Sequence, residues 1–179
     1  MDGRKVISII LPGAPRTKKT SNNAFVSKSG KPIVLPSEEF EAWLKYVLSF
    51  RPIIHQQLRE MGVDLPVRYR VGIEARIYRK QDSGDATGFY QAIGDAIQEA
   101  TFQCQQCRKV VYACSAKEHS SVCPGALKRK RAGLGIVLDD KLIEHWDRSR
   151  RLIDRENPRV ELDITPFEGE QMTLGETPE

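Results

Sequence analysis

What this chain lacks narrows it before any motif does. Its longest apolar run near the start, Val6 to Leu11, is far too short for a membrane span or for the apolar core of a secretory signal. No targeting segment is visible, so a cytoplasmic protein is expected, encoded by a cell, a phage or a prophage. No cysteine occurs outside the stretch from Cys104 to Cys123, which leaves the presumed main core without any. In a chain with no secretory signal, such clustering favours metal binding over disulfides. Acids are scarce in two places: the first 35 residues hold only Asp2 against seven bases, and residues 101–135 hold only Glu118 against seven. The end, from Glu168 to Glu179, has no base at all. No internal repeat is apparent.

What is present is an ordinary soluble composition, 40% hydrophobic and 29% charged. A length of 179 residues suits one domain with a proper core and at most one small appendage. Residues 101–135 alone carry a charge of +6, through Arg108, Lys109, Lys117, Lys128, Arg129, Lys130 and Arg131, while the rest of the chain sums to −2. Basic patches beside acid clusters suggest a polyanion gripped by one part and attacked by another. A solvated basic surface is the plainer alternative.

Val6 to Leu11 reads as a strand ended by Pro12-Gly13. Residues 14–31 are polar and read as a loop or loose hairpin. Ser37 is a good N-cap, followed by Glu38 and Glu39 in the first turn and a core-facing stripe of Phe40, Trp43, Leu44, Val47 and Leu48. Alternation from Val67 to Ile77 predicts a strand over 67–78. The period turns helical from Ala86 to Ala100, with Phe89, Ile93, Ala96, Ile97 and Ala100 on one face. Leu134 to Leu138 is a short apolar run, taken as a strand, and Val160, Leu162 and Ile164 alternate as a last one. The expected fold is α/β (α+β): one mixed sheet with helices packed on it and a small zinc-binding insertion. The expected boundaries are a discontinuous main domain over 1–101 and 133–167, an insertion over 102–132, and a disordered acidic tail over 168–179.

Two acidic knots, Asp82/Asp85 and Asp139/Asp140, flank the insertion. Each has a bland reading, since Asp85 could cap the helix and Asp139-Asp140 could merely end a strand. Together they suggest carboxylates gathered on one sheet edge, where Mg²⁺ needs only one or two of them and fills its other positions with water. Such an ion polarises a phosphate, lowers the pKa of the attacking water and neutralises the leaving oxygen. Asp95, on the polar face of its helix, is a further candidate contact.

These residues together resemble the RusA family of Holliday-junction resolvases, the crossover junction endodeoxyribonucleases. The resemblance spans most of residues 6–167 apart from the insertion. It includes the opening Ile9-Ile10-Leu11-Pro12-Gly13-Ala14-Pro15 with Lys18-Lys19, the acid-led helix ending in Asp95-Ala96-Ile97, and Leu138-Asp139-Asp140 before a closing strand. It implies a Mg²⁺-dependent homodimer that nicks four-way DNA junctions symmetrically in recombination and repair. Family members carry an Asp-x-Asp-Asn segment at the helix start, a Lys one turn on, and a later Asp-Asp pair. Asp85 matches the first acid, and Asp139 and Asp140 match the pair. Aligned on Asp95, the second acid falls on Thr87, the Asn on Gly88 and the Lys on Gln91, while Asp82 offers a replacement carboxylate. The expected Mg²⁺ ligands and catalytic acids are therefore Asp82, Asp85, Asp139 and Asp140.

Cys104-x2-Cys107, eleven residues, then His119-x3-Cys123 is close to the ligand spacing of a short zinc finger. Cys114 competes with His119 for the fourth place; His119 is preferred because it and Cys123 suit one helix face. Free or paired cysteines are the alternative, but they would leave the insertion with almost no core. Four protein ligands leave no open position, so a zinc here is expected to be structural. Lys128, Arg129, Lys130 and Arg131, with Arg16, Lys18 and Lys19, are the expected DNA-phosphate contacts; the run 128–131 could also be a soluble linker. His55 and His145 lack a partner pattern. The rivals to a nuclease are a DNA-binding protein that works through the zinc insertion, its acids catalytically weak or idle, and a zinc-stabilised protein-interaction module.

Overall fold

The computed structural model describes residues 6–17, 24–26, 32–34, 36–81 and 86–167. Lys18, Lys19, Asp82, Asp85 and the acidic tail from 168 lie outside the described residues. The first strand, β1 (Ile7–Pro12), buries Ile7, Ile9 and Leu11 and turns the alternate residues outward. It ends where Gly13, at φ +78°, turns the chain and donates its N–H to the Pro158 carbonyl at 3.0 Å. Two short strands, β2 (Ala24–Val26) and β3 (Pro32–Val34), pair antiparallel.

Helix α1 (Glu38–Ser49) starts as its sequence implies, with the Ser37 hydroxyl accepting from the Phe40 N–H at 3.2 Å. Phe40, Trp43 and Val47 are buried beneath it. A second helix, α2 (Arg51–Glu60), follows at once and has no counterpart in the sequence reading. Only Ile54 and Leu58 of its residues are buried, too few apolar positions to show a stripe.

Strand β4 (Val71–Arg79) begins later than the alternation from Val67 suggests. Val67 has a different partner: its N–H donates to the Ile136 carbonyl at 2.8 Å, and its carbonyl accepts from Leu138 at 2.9 Å. Period-2 alternation cannot distinguish one strand from two extended pieces that change partner. Helix α3 (Ala86–Ile97) buries Phe89, Ala92, Ile93, Ala96 and Ile97. The apolar run from Leu134 to Leu138 is no strand; it is a buried connector whose N–H groups bond to the last carbonyls of α3 and to Gln98. Sequence hydrophobicity reported its burial and could not report its partner.

Between those points the chain builds a separate ribbon: β5 (Thr101–Cys104), β6 (Val110–Tyr112), α4 (Ala116–Val122) and β7 (Leu127–Arg131). The three strands form an antiparallel sheet in the order β6-β5-β7. The run Lys128–Arg131 is therefore an edge strand, neither a trailer nor a linker. Beyond the connector come β8 (Ile143–His145) and β9 (Arg150–Ile153), both parallel to β4, and β10 (Arg159–Pro166), antiparallel between β1 and β4. The resulting five-stranded sheet is mixed.

The chain is thus mixed α and β. Helices α1, α2 and α3 share one core with the inward residues of β1, β4 and β10. The other sheet face is polar, with Arg76 paired to Glu161 at 3.1 Å and Asp163 at 2.9 Å, and Arg159 paired to Asp154 at 2.7 Å. No described helix is long and apolar enough to cross a membrane.

Candidate functional site

Two chemically distinct groups of side chains stand out, one acidic and packed against α3, the other sulfur-rich and within the ribbon. The first is acidic. Asp139 is the N-cap of a single 3-10 turn, Asp140–Leu142, and accepts the Lys141 N–H on Oδ1 at 3.1 Å. Its other oxygen, Oδ2, accepts the Tyr112 hydroxyl at 2.5 Å. Asp139 is therefore held at both oxygens, whereas Asp140 is exposed. Asp140 lines a cleft of about 230 Å³ together with Thr87, Tyr90, Gln91, Gly94, Ile143 and Trp146. Tyr90 and Trp146 stack face to face along its side, with ring centroids 5.0 Å apart. The turn sits close on α3: a Cβ built on Gly94 would meet the Asp140 Cβ at 3.8 Å.

The electrostatics separate the two neighbouring acids. Burial pushes the Asp139 carboxyl up, but the Tyr112 hydroxyl and the Lys141 N–H outweigh it and hold the group below the ordinary carboxylate range. Asp140, though its side chain reaches solvent, is pushed above that range, by partial desolvation first, then by Asp139, with Asp95 adding repulsion and Arg131 opposing it. The same contact raises the Tyr112 phenol to about 12, through its bond to Asp139 and through burial. Asp139, Asp140 and Asp95 thus form an acidic group in which Asp140 feels the repulsion of the other two. Among the described residues they do not converge into a cage as the cysteine group does.

That second group is Cys104, Cys107, His119 and Cys123, whose ligand atoms all lie within 4.8 Å of one another. Cys104 Sγ and Cys123 Sγ are 3.6 Å apart, and Cys107 Sγ lies 3.7 Å from His119 Nε2. Donors about 2.3 Å from a tetrahedral centre lie about 3.8 Å apart, so the four could hold one metal ion and are compatible with zinc. The local chain explains the convergence. Arg108, at φ +63°, closes the turn between β5 and β6, and its N–H returns to the Cys104 carbonyl at 3.1 Å. His119 lies in α4 and Cys123 caps it, bonding back to the His119 carbonyl at 2.9 Å. The Cys107 N–H, then His119, pull the Cys104 thiol down to about 6, which favours the thiolate that metals bind. Cys114 is not in the group; it is exposed beside Ser115 and Arg68.

The remaining expected residues fall as follows. Lys128, Arg129 and Lys130 are exposed along β7. Arg131 is also exposed but engaged, since its guanidinium donates to the side-chain amide oxygen of Gln98, Oε1. Gln98 in turn donates to Asp95 Oδ1 at 2.9 Å. Arg16 lines a cleft of about 350 Å³ with Arg79 and Lys80, at the end of β4. His145 lies against Asp147 at 3.3 Å and the Phe167 ring. His55 contacts the Leu134 carbonyl at 2.5 Å. Tyr112, Gln98, Tyr90 and Trp146 escaped the sequence reading, because an isolated aromatic or amide carries no spacing signal.

Compared with models of known protein families and with curated proteins, the chain matches none.

Proposed function

We propose that this protein is a Mg²⁺-dependent endonuclease of RusA type that nicks branched DNA, acting as a homodimer, with a structural zinc in the ribbon. The observation that carries the reading is the cleft in which Thr87 and Gln91 of α3 face Asp140, with Asp95 in electrostatic reach. Those are positions at which the resemblance puts the family's metal-site and phosphate-facing residues, and they share one surface. Asp139 and Asp140, with Asp82 and Asp85 before α3, would hold the ion. Mg²⁺ fits such a donor set because it keeps several waters and takes few direct carboxylates. When bound, it supplies a polarised phosphate and a more acidic attacking water.

The protein's own groups do the rest. Asp140 presents a carboxylate at the cleft, and Asp139 is fixed beside it. Arg16 and Lys80, in a cleft at the end of β4, and the exposed Lys128, Arg129 and Lys130 of β7 offer cations for phosphate contact, which makes affinity salt-sensitive. The soft sulfur-rich donors of the ribbon suit zinc, and four protein ligands leave it no open position for water.

A second reading has one observation in its favour. Thr87 and Gln91 bring neither a carboxylate nor a cation to the cleft, as a DNA-binding protein without catalysis would allow. Purified protein with Mg²⁺ should nick a synthetic four-way junction in pairs and leave a linear duplex of the same sequence intact. Asp140→Asn should lower that rate at least about 100-fold while retaining salt-sensitive junction binding. Tight binding without any cut by the wild type would select the second reading. No affinity for DNA at all would leave only the protein-interaction module.

A further inference from the structure

The ribbon does more than hang beside the acids. Its root, the row where Thr101 faces Tyr112 on one side and Arg131 on the other, abuts them directly. From β6 the Tyr112 hydroxyl reaches Asp139 Oδ2 at 2.5 Å. From β7, Arg131 reaches Gln98, which is almost fully buried and holds Asp95 Oδ1 at 2.9 Å. Of the three acids near the cleft, Asp139 is thus braced directly by a ribbon side chain. Asp95 is braced at one remove, through Gln98, by another from the opposite outer strand. The cysteine end of the ribbon lies on the same central strand, at Cys104, three residues along β5 from Thr101. Gly133, where the ribbon rejoins the main chain, permits the close seat: a Cβ there would fall 2.0 Å from the Gln98 carbonyl oxygen.

We infer that Tyr112 is a positioning residue for Asp139, and that metal loading of the ribbon sets the affinity of the acid cleft for its divalent cation. The physical reason is orientation. A carboxylate with one oxygen fixed by a backbone N–H and the other by a phenol has no rotational freedom left to lose when an ion binds. Hydrogen-bond partners behind a ligand are typically worth 10- to 100-fold in metal affinity. Within Thr101–Arg131 the buried apolar side chains are few, Cys104 and Val111. The strands that carry Tyr112 and Arg131 therefore depend on the metal for their shape. This inference rests on the reading that the acids hold a divalent cation.

The test uses Mn²⁺ as probe, titrated into the zinc-loaded full chain and followed by electron paramagnetic resonance of the free ion. The wild type should bind Mn²⁺ at a site that Asp140→Asn abolishes. Tyr112→Phe should keep its zinc content and melting temperature yet weaken that binding about tenfold or more. Cys107→Ser, which loosens the zinc site, should weaken it by a similar factor, and the double variant should be little worse than either single one. If the wild type binds Mn²⁺ at an Asp140-dependent site and Tyr112→Phe binds it equally, the positioning role is overturned and the nuclease reading stands. Fully multiplicative losses in the double variant would overturn the coupling to zinc. Absence of any Asp140-dependent Mn²⁺ binding would overturn both this inference and the reading beneath it.

Discussion

Single residues decide how tightly the two metal-relevant groups are built. Gly125, in the loop that leads into β7, is one of them: a Cβ there would lie 2.6 Å from both Cys104 Sγ and Gln106 Cβ. Real side chains do not approach so closely, so the thiolate and the turn that follows it must give way. Gly125→Ala is expected to destabilise the zinc-loaded protein by about 1–3 kcal/mol. A thermal melt in excess zinc, run beside a direct measurement of bound zinc, checks it; an unchanged melt with full zinc would mean the loop moves freely. Asp139 and Asp140 illustrate the converse. The two are chemically identical and adjacent, but one is locked by a cap and a phenol while the other stands open at the cleft. Nothing in the pair of letters distinguishes them.

Elements explain the pH behaviour. On the outer face of the main sheet, β4 and β10 are joined by Arg76 and Arg159 to Glu161, Asp163 and Asp154. The Asn157 N–H first, and Arg159 next, hold the Asp154 carboxyl below its ordinary range. Glu161 is held low as well: burial opposes, and Arg76 and Arg159 prevail. A carboxylate with a depressed folded pKa contributes stability that is complete above its unfolded pKa, about 4, and is lost as pH falls through the depressed value. Acid unfolding should therefore set in below about pH 4. Asp154→Asn should melt lower than wild type at pH 7, and the gap should close toward pH 2. Melting curves across that range test it, and a gap that persists at pH 2 would show that shape, not charge, is what Asp154 contributes.

At the scale of the whole molecule, two structures of different self-sufficiency share one chain. The main sheet and its helices enclose a continuous apolar core from Ile7 to Ile164. The ribbon has almost none and leans on its cysteines. A zinc-selective chelator should therefore abolish amide-exchange protection across residues 101–131 and leave β1, β4 and β10 protected. Hydrogen-exchange mass spectrometry distinguishes that result from global unfolding, which would mean that the ribbon also carries the main fold. The charge division follows the same line: the basic edge strand β7 sits on the part that metal would shape, while the acids sit on the part that folds around its own core.

What the sequence determined by itself is whatever local chemistry dictates. Pro12-Gly13 ends β1, Ser37 caps α1, and the apolar periods mark β10 and the buried face of α3. Cys104, Cys107, His119 and Cys123 were legible as a ligand set because their spacing is a short-range property of one turn and one helix. Other features belong to the tertiary structure alone. Val67 and the 134–138 segment look like strands, yet they pair with each other and with the end of α3, since pairing is chosen by distant partners. Helix α2 shows no stripe because it buries only two side chains. Tyr112 is 27 residues from Asp139 along the chain and bonded to it in space. Only the packing of the ribbon's root against α3 brings them together, because the close seat at Gly133 and the reach of a phenol are facts of three dimensions.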